Sequence, residues 1–214
     1  MGWRNWEIPH TEREQLEEQL TAFRLLASDE VQAALTLAEI AHRDQKRDEG
    51  KPYLEYHIYP VTLEVVRSAW FFAPLLLAPT LPAAALLHDA VEDSGLTLAD
   101  VQRYCGEQVR VNVEALTKPP RTSFPGSEEE QRNAVNEAYF KGLRAAPHEA
   151  HFIKLEDRLQ NLRTVHLGRN VAKTLHYIRE TRQWHLPFAQ EVCSWYAQEL
   201  ESTLKVLEKR YGSR

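Results

Sequence analysis

The chain has 214 residues, a net charge of -5 and a hydrophobic share of 43%, enough for one domain with a sizeable core. The acidic balance argues against a broad basic surface for long nucleic acid. Cys105 and Cys193 stand far apart and read as reduced thiols rather than a disulfide framework.

The opening residues Met1 to Glu7 show no apolar leader. Residues 12–27 place Leu16, Leu20, Phe23 and Ala27 on one helical face. Ser28 offers an N-cap to a second helix, whose buried stripe is Val31, Ala34, Leu35, Ala38 and Ala41. A polar loop from His42 closes at Gly50 and Pro52, and a third helix begins near His57. The most apolar stretch, Ala69 to Leu87, is broken by Pro74, Pro79 and Pro82. It reads as buried helices rather than a membrane span, so a cytoplasmic protein is expected.

A central helix then runs from Leu81 through His88 to Asp93. Thr97 and Asp100 form a capping pattern for a helix that stops before Gly106, and another covers 107–117. Residues 118–127 are a loop rich in Pro, Thr, Ser and Gly. Helices resume over 128–145, 148–165, 170–183 and 189–210. In the last, Val192, Trp195, Tyr196, Leu200, Leu204 and Leu207 make a stripe that suits the core, with a homodimer seam as the alternative. Nothing alternates as strands do and nothing repeats. The expected fold is all-α, one domain over residues 1–214.

The segment His88-Asp89-Ala90-Val91-Glu92-Asp93 carries the chemistry. On a helix His88 and Glu92 stand one turn apart, as do Asp89 and Asp93. Three carboxylates beside an imidazole repel one another unless a cation or proton compensates, which is the physical case for a metal. On the 148–165 helix, Leu155, Leu159 and Leu162 bury one side while Asp157, Asn161 and Thr164 share an adjacent face. Taken alone, that second face fits a hydrogen-bonded core pair, or a surface arrangement of Asp157 and Arg158, better than it fits a site.

His88-Asp89 followed by Asp157 resembles the HD superfamily of metal-dependent phosphohydrolases. The likeness narrows over five elements in order. Ala41-His42 through Gln45, Arg47, Gly50, Pro52 and Tyr53 is similar to the AH-x-GQ-x-R-x-x-G-x-PY signature of RelA/SpoT-type alarmone hydrolase domains. Leu86 to Asp93 resembles their LLHDxxED motif, Leu116-Thr117-Lys118 their VTK element, and Ile153 to Thr164 their IKLADRxxNMRT helix. Glu180-Thr181 to Pro187-Phe188-Ala189 is similar to the ET-x-x-x-x-x-P-L-A that closes the domain. The resemblance covers roughly residues 30 to 190.

It implies an HD-domain bundle of roughly eight to ten helices, holding one Mn²⁺ between two histidines and two aspartates. It also implies removal of the 3′-pyrophosphate from guanosine tetra- or pentaphosphate, (p)ppGpp. Carried onto matching positions, His88, Asp89 and Asp157 are metal ligands. Glu92 would position or deprotonate the attacking water with Asp93 in support. Arg47, Asn161 and Thr164 would bind substrate, Arg47 at the pyrophosphate and the other two at the sugar-phosphate side. The family's first ligand stands in Pro-Tyr-x-x-His-Pro, whereas this chain reads Pro52-Tyr53-Leu54-Glu55-Tyr56-His57-Ile58-Tyr59-Pro60. The spacing from His57 to Val61 is kept, so a one-residue insertion before the helix makes His57 the fourth ligand. Asp48 replaces a basic residue that often follows the arginine, which removes a cation.

Two other functions stay open. One is an HD phosphohydrolase for another nucleotide, a 5′-nucleotide or NADPH, and the other is a non-catalytic alarmone-binding module. Of the remaining histidines, His42 reads as a satisfied helical residue and His10, His148, His166, His176 and His185 as surface or capping groups. His151 has no assigned role. Arg158 and Arg163 read as braces between helices, with orientation of Asp157 as an alternative for Arg158.

Overall fold

The computed structural model describes residues 11–165 and 170–212. His10 and His166 lie outside the described residues. Among those residues the regular structure is helical, and the β structure is one isolated bridge between Lys46 and Pro52. No helix among them is long and apolar enough to cross a membrane. Cys105 and Cys193 are free thiols.

Helix α1 (Glu12–Ala22) starts at a capping box in which Thr11 and Glu14 satisfy each other's backbone N–H. It ends earlier than its apolar pattern implies, because Arg24 turns into the left-handed region at φ 59°. Helix α2 (Asp29–Ala41) is capped by Ser28. The loop after it returns through Gly50, at φ 78°, to the Lys46–Pro52 bridge. A π-turn, Leu54–Ile58, then feeds α3 (Tyr59–Phe72). Here the Tyr59 N–H reaches back five residues to the Leu54 carbonyl. A π-turn takes one more residue than an α-turn, which leaves room for the one-residue insertion expected before His57.

The expected continuous helix through His88 is in fact two: α4 (Thr80–Leu86) and the short α5 (Ala90–Asp93). Between them Leu87, His88 and Ala90 donate to carbonyls three residues back. The cause is local. The His88 ring competes for the Ala85 carbonyl through Nδ1 at 2.7 Å, so the regular ladder cannot pass.

Helices α6 (Leu98–Cys105) and α7 (Glu107–Leu116) pivot on Gly106, whose φ of 88° suits glycine. Ser127 caps α8 (Glu128–Arg144). Helix α9 (His148–Thr164) is the axis of the fold, packed against α3, α4, α7 and the C-terminal helix. Every residue from Ala150 to Leu159 on it is buried, so it is enclosed on all sides rather than amphipathic. Helix α10 (Val171–Glu180), a second π-turn (Thr181–His185) and α11 (Leu186–Val192) replace the two last helices expected up to 210, with α12 (Ser194–Tyr211) finishing the bundle. Tyr196, Leu200, Leu204 and Leu207 are buried in the common core, and Val192 and Trp195 of the same stripe are partly buried against it.

Candidate metal centre and nucleotide pocket

Three elements bring the metal-ligating residue types together. The π-turn before α3 carries His57, the broken turn between α4 and α5 carries His88 and Asp89, and α9 carries Asp157. His57 Nε2 lies 3.4 Å from Asp89 Oδ2, 3.4 Å from Asp157 Oδ1 and 3.4 Å from His88 Nε2. His88 Nε2 lies 3.2 Å from Asp89 Oδ2 and 3.9 Å from Asp157 Oδ1. His57, His88 and Asp89 form the tightest group, and Asp157 stands at its edge.

The donor chemistry fits a divalent cation. His88 Nδ1 donates to the Ala85 carbonyl, so the neutral ring presents Nε2 as a bare lone pair toward the cluster. Two imidazole nitrogens and two carboxylate oxygens at these separations match ligand atoms about 2.0–2.2 Å from a shared ion. Without a cation the same crowding shows as shifted protonation. Burial opposes a charge on His88, but Asp89 and then Asp157 outweigh it and raise the ring to about 9. Burial likewise works against both carboxylates, yet His88 holds Asp89, and Lys154 holds Asp157, well below the usual range.

Several contacts fix these ligands. The Tyr53 hydroxyl donates to Asp89 Oδ2, and burial keeps that phenol protonated. Lys154 Nζ donates to Asp157 Oδ2 at 2.8 Å, and Asn161 Nδ2 to Asp157 Oδ1 at 2.6 Å. Tyr53 and Lys154 had no role in the sequence reading, although the three-residue spacing of Lys154 and Asp157 on a helix is a legible sign.

The cluster opens onto a pocket of about 440 Å³ that contains every residue expected to bind substrate. Arg47 Nη2 donates to Thr164 Oγ1 at 3.1 Å, and its Nε lies 3.4 Å from Glu49. Glu92 and Asp93 both line the pocket. Glu92 accepts from the Lys118 N–H, and Asp93 Oδ2 from Gln45 Nε2 at 2.8 Å. Solvent reaches Glu92, but the protein wall around it raises its carboxyl above the ordinary value, against the opposing pull of the Lys118 N–H. Asp48, expected to cost the pocket a cation, forms a 2.7 Å ion pair with Lys173 of α10.

One wall of the pocket, lined by Arg158 and Glu180, belongs to a charged layer in which the two expected arginine braces are found with their partners. Arg158 pairs with Glu180 and donates Nε to His185 Nε2 at 3.0 Å. It braces α10 and the second π-turn. Arg163 pairs with Glu199 at 3.0 Å. His185, expected as a surface or capping group, is fully buried, and His151 is buried with Nε2 donating to the Leu143 carbonyl at 2.8 Å. His148 is exposed and His176 half-buried.

An all-helical bundle that gathers two histidines and two aspartates in this way defines a class, and comparison identifies it. A family model described as HD domain matches residues 34–195, and the chain belongs to that family. A guanosine-3′,5′-bis(diphosphate) 3′-pyrophosphohydrolase of Aquifex aeolicus is 30% identical over 168 residues, 78% of this chain and 22% of that protein. A GTP pyrophosphokinase of Streptomyces coelicolor is 33% identical over 167 residues, 76% of this chain and 18% of its own. The bifunctional (p)ppGpp synthase/hydrolase SpoT of Escherichia coli K12 is 30% identical over 161 residues, 74% of this chain and 21% of its own. The chain thus spans about a fifth of the length of these curated relatives. A solved metazoan ortholog of SpoT, described as hydrolysing ppGpp, aligns with a TM-score of 0.66 at 22% identity. That alignment covers 83% of this chain and 95% of the other, and it establishes the shared fold.

Proposed function

We propose that this chain hydrolyses (p)ppGpp to GDP or GTP and pyrophosphate, in the cytoplasm, with one Mn²⁺. The observation that carries the reading is the opening of the His57–His88–Asp89–Asp157 cluster onto a pocket whose lining includes Lys46, Arg47 and Lys118. A nucleotide with phosphates at two ends needs such cations for recognition and a metal-binding cluster for reaction. The names of the relatives point to guanosine polyphosphates as the substrate class.

His57, His88, Asp89 and Asp157 would hold the ion, a mixed imidazole and carboxylate set that suits Mn²⁺. When bound, it supplies Lewis acidity at a phosphoryl oxygen and makes water easier to deprotonate. The rest falls to side chains. Arg47, steadied by Thr164 and Glu49, binds the pyrophosphate and offsets charge that develops on it. Asn161 and Thr164 hold the sugar-phosphate side. Glu92 takes a proton from water as the water oxygen bonds to the phosphorus carried on O3′. The P–O3′ bond breaks, the electron pair leaves with O3′, and that oxygen takes a proton from solvent to become a hydroxyl while Glu92 returns its proton to solvent. Asp93 supports Glu92 in placing the water.

One observation favours a second reading. The Asp48–Lys173 pair neutralises a cation at the pocket rim, which suits a less highly charged nucleotide such as a 5′-nucleotide or NADPH. A binding module without turnover gains less support, because Glu92 and Asp93 are each held in place by a hydrogen bond.

Pyrophosphate release from ppGpp by metal-stripped protein, with and without Mn²⁺, tests the proposal beside a panel of 5′-nucleotides and NADPH. Manganese-dependent turnover of ppGpp is expected. Turnover confined to another nucleotide would reassign the substrate, and no turnover despite bound metal would leave the binding module.

A further inference from the structure

His42 lies outside the metal cluster, yet it is only 1% exposed at the C-terminal cap of α2. Its Nδ1 is in hydrogen-bond contact with Gln45 Oε1, and Gln45 Nε2 donates to Asp93 Oδ2. The His42 ring also rests on Tyr53, with centroids 5.3 Å apart. Tyr53 in turn lies 4.8 Å from the His57 ring and donates its hydroxyl to Asp89. One buried ring therefore supports two arms, one ending at Asp93 and the other at His57 and Asp89.

The proton positions follow from the partners. An ionised carboxylate only accepts, so the Gln45 NH₂ must face Asp93 and its carbonyl oxygen must face His42. That oxygen also only accepts, so Nδ1 of His42 carries the proton. In the neutral ring Nε2 is then a lone pair, and this nitrogen is buried with no hydrogen-bond partner among the described residues. An orphaned buried acceptor is unfavourable, so the ring is oriented by the demand at Nδ1 rather than by general satisfaction of a cap residue. Burial lowers the His42 pKa, against the smaller opposing effect of Gln45, which favours the neutral ring.

We propose that His42 is a positioning residue whose Nδ1–H fixes the Gln45 amide so that Gln45 holds Asp93 at the reacting end of the pocket. The inference rests on the role given to Asp93 in the proposed hydrolysis. It explains both the orphaned nitrogen and the unbroken chain from α2 to Asp93.

A matched pair of variants tests it. An asparagine amide places its NH₂ where the imidazole Nδ1 stands, whereas glutamine places its NH₂ near Nε2. His42→Gln should lower kcat for ppGpp by about tenfold to a hundredfold, the cost of a misplaced group, with KM little changed. His42→Asn should restore most of that loss. Gln45→Leu should match His42→Gln, and the double variant should be no worse than Gln45→Leu alone. Independently of turnover, ¹⁵N imidazole shifts should show His42 as the Nδ1–H tautomer, a signature lost in Gln45→Leu. If the wild type leaves ppGpp intact, the substrate reading fails while the tautomer still judges the His42–Gln45 link. An Nε2–H tautomer in the wild type, equal damage from Asn and Gln, or an effect confined to KM would overturn the proposal.

Discussion

At the scale of the residue, the site depends on side chains that each have a second contact setting their direction. Lys154 binds one oxygen of Asp157, which turns the other toward His57. Lys154→Met should therefore weaken Mn²⁺ binding by about 10- to 100-fold, as loss of a group supporting a ligand does, and titration calorimetry would read it. Asp157→Ala should abolish both bound metal and activity. Glu92→Gln should keep the metal while kcat falls by about 10²- to 10⁴-fold, the usual worth of a positioned base. Full turnover in Glu92→Gln would remove Glu92 from the reaction. His88 and Asp89 stood out as an imidazole and carboxylates crowded at helical spacing, whereas Asp157 drew its place from the family resemblance, since its own helix face also suits a core pair. The turn that aims His88 and Asp89 was not legible. Nothing in the Ala-rich segment before His88 signals that its own ring would take the Ala85 carbonyl and interrupt the helix.

Among elements, α9 shows where pattern reading stops. Leu155, Leu159 and Leu162 announce a buried face, but Lys154, Glu156, Asp157 and Arg158 are also buried. Charged residues enter a core only with partners, and while Lys154 and Asp157 pair on α9 itself, the partner of Arg158 is distant in sequence. Glu180 of α10 is such a partner, paired with Arg158 and 3.5 Å from Lys118. Burial opposes its ionisation, but Arg158 first and then Lys118 lower its pKa far below the ordinary carboxylate value. A depressed carboxylate stabilises the fold above its unfolded pKa and loses that contribution as pH falls through the acid range. Glu180→Gln should thus cost roughly 3 kcal/mol near neutral pH in urea titrations, as for a broken buried pair. The deficit should shrink steadily below pH 4.5, where the carboxyl of the unfolded chain takes up its proton. A deficit independent of pH would contradict this pairing. At the rim, Asp48→Asn should lower KM for ppGpp with little change in kcat, because it releases Lys173 to a phosphate.

The whole molecule is a helical bundle whose two π-turns do opposite work: one seats His57 at the candidate metal cluster, the other seats His185 behind the pocket. The all-helical class and the order of helices were readable from capping residues and apolar spacing. The division of the last third into α10, a π-turn, α11 and α12 was not, since a single added residue in a turn leaves no compositional trace. Because the four candidate ligands come from three separate elements, metal should tie the fold together. Chelation should lower the melting temperature and Mn²⁺ should restore it in a concentration-dependent way. The most direct measurement is anomalous diffraction at the manganese edge from crystals grown with Mn²⁺. One peak enclosed by His57 Nε2, His88 Nε2, Asp89 and Asp157 is expected. No peak there, or one held by other residues, would contradict the metal centre and the hydrolysis built on it.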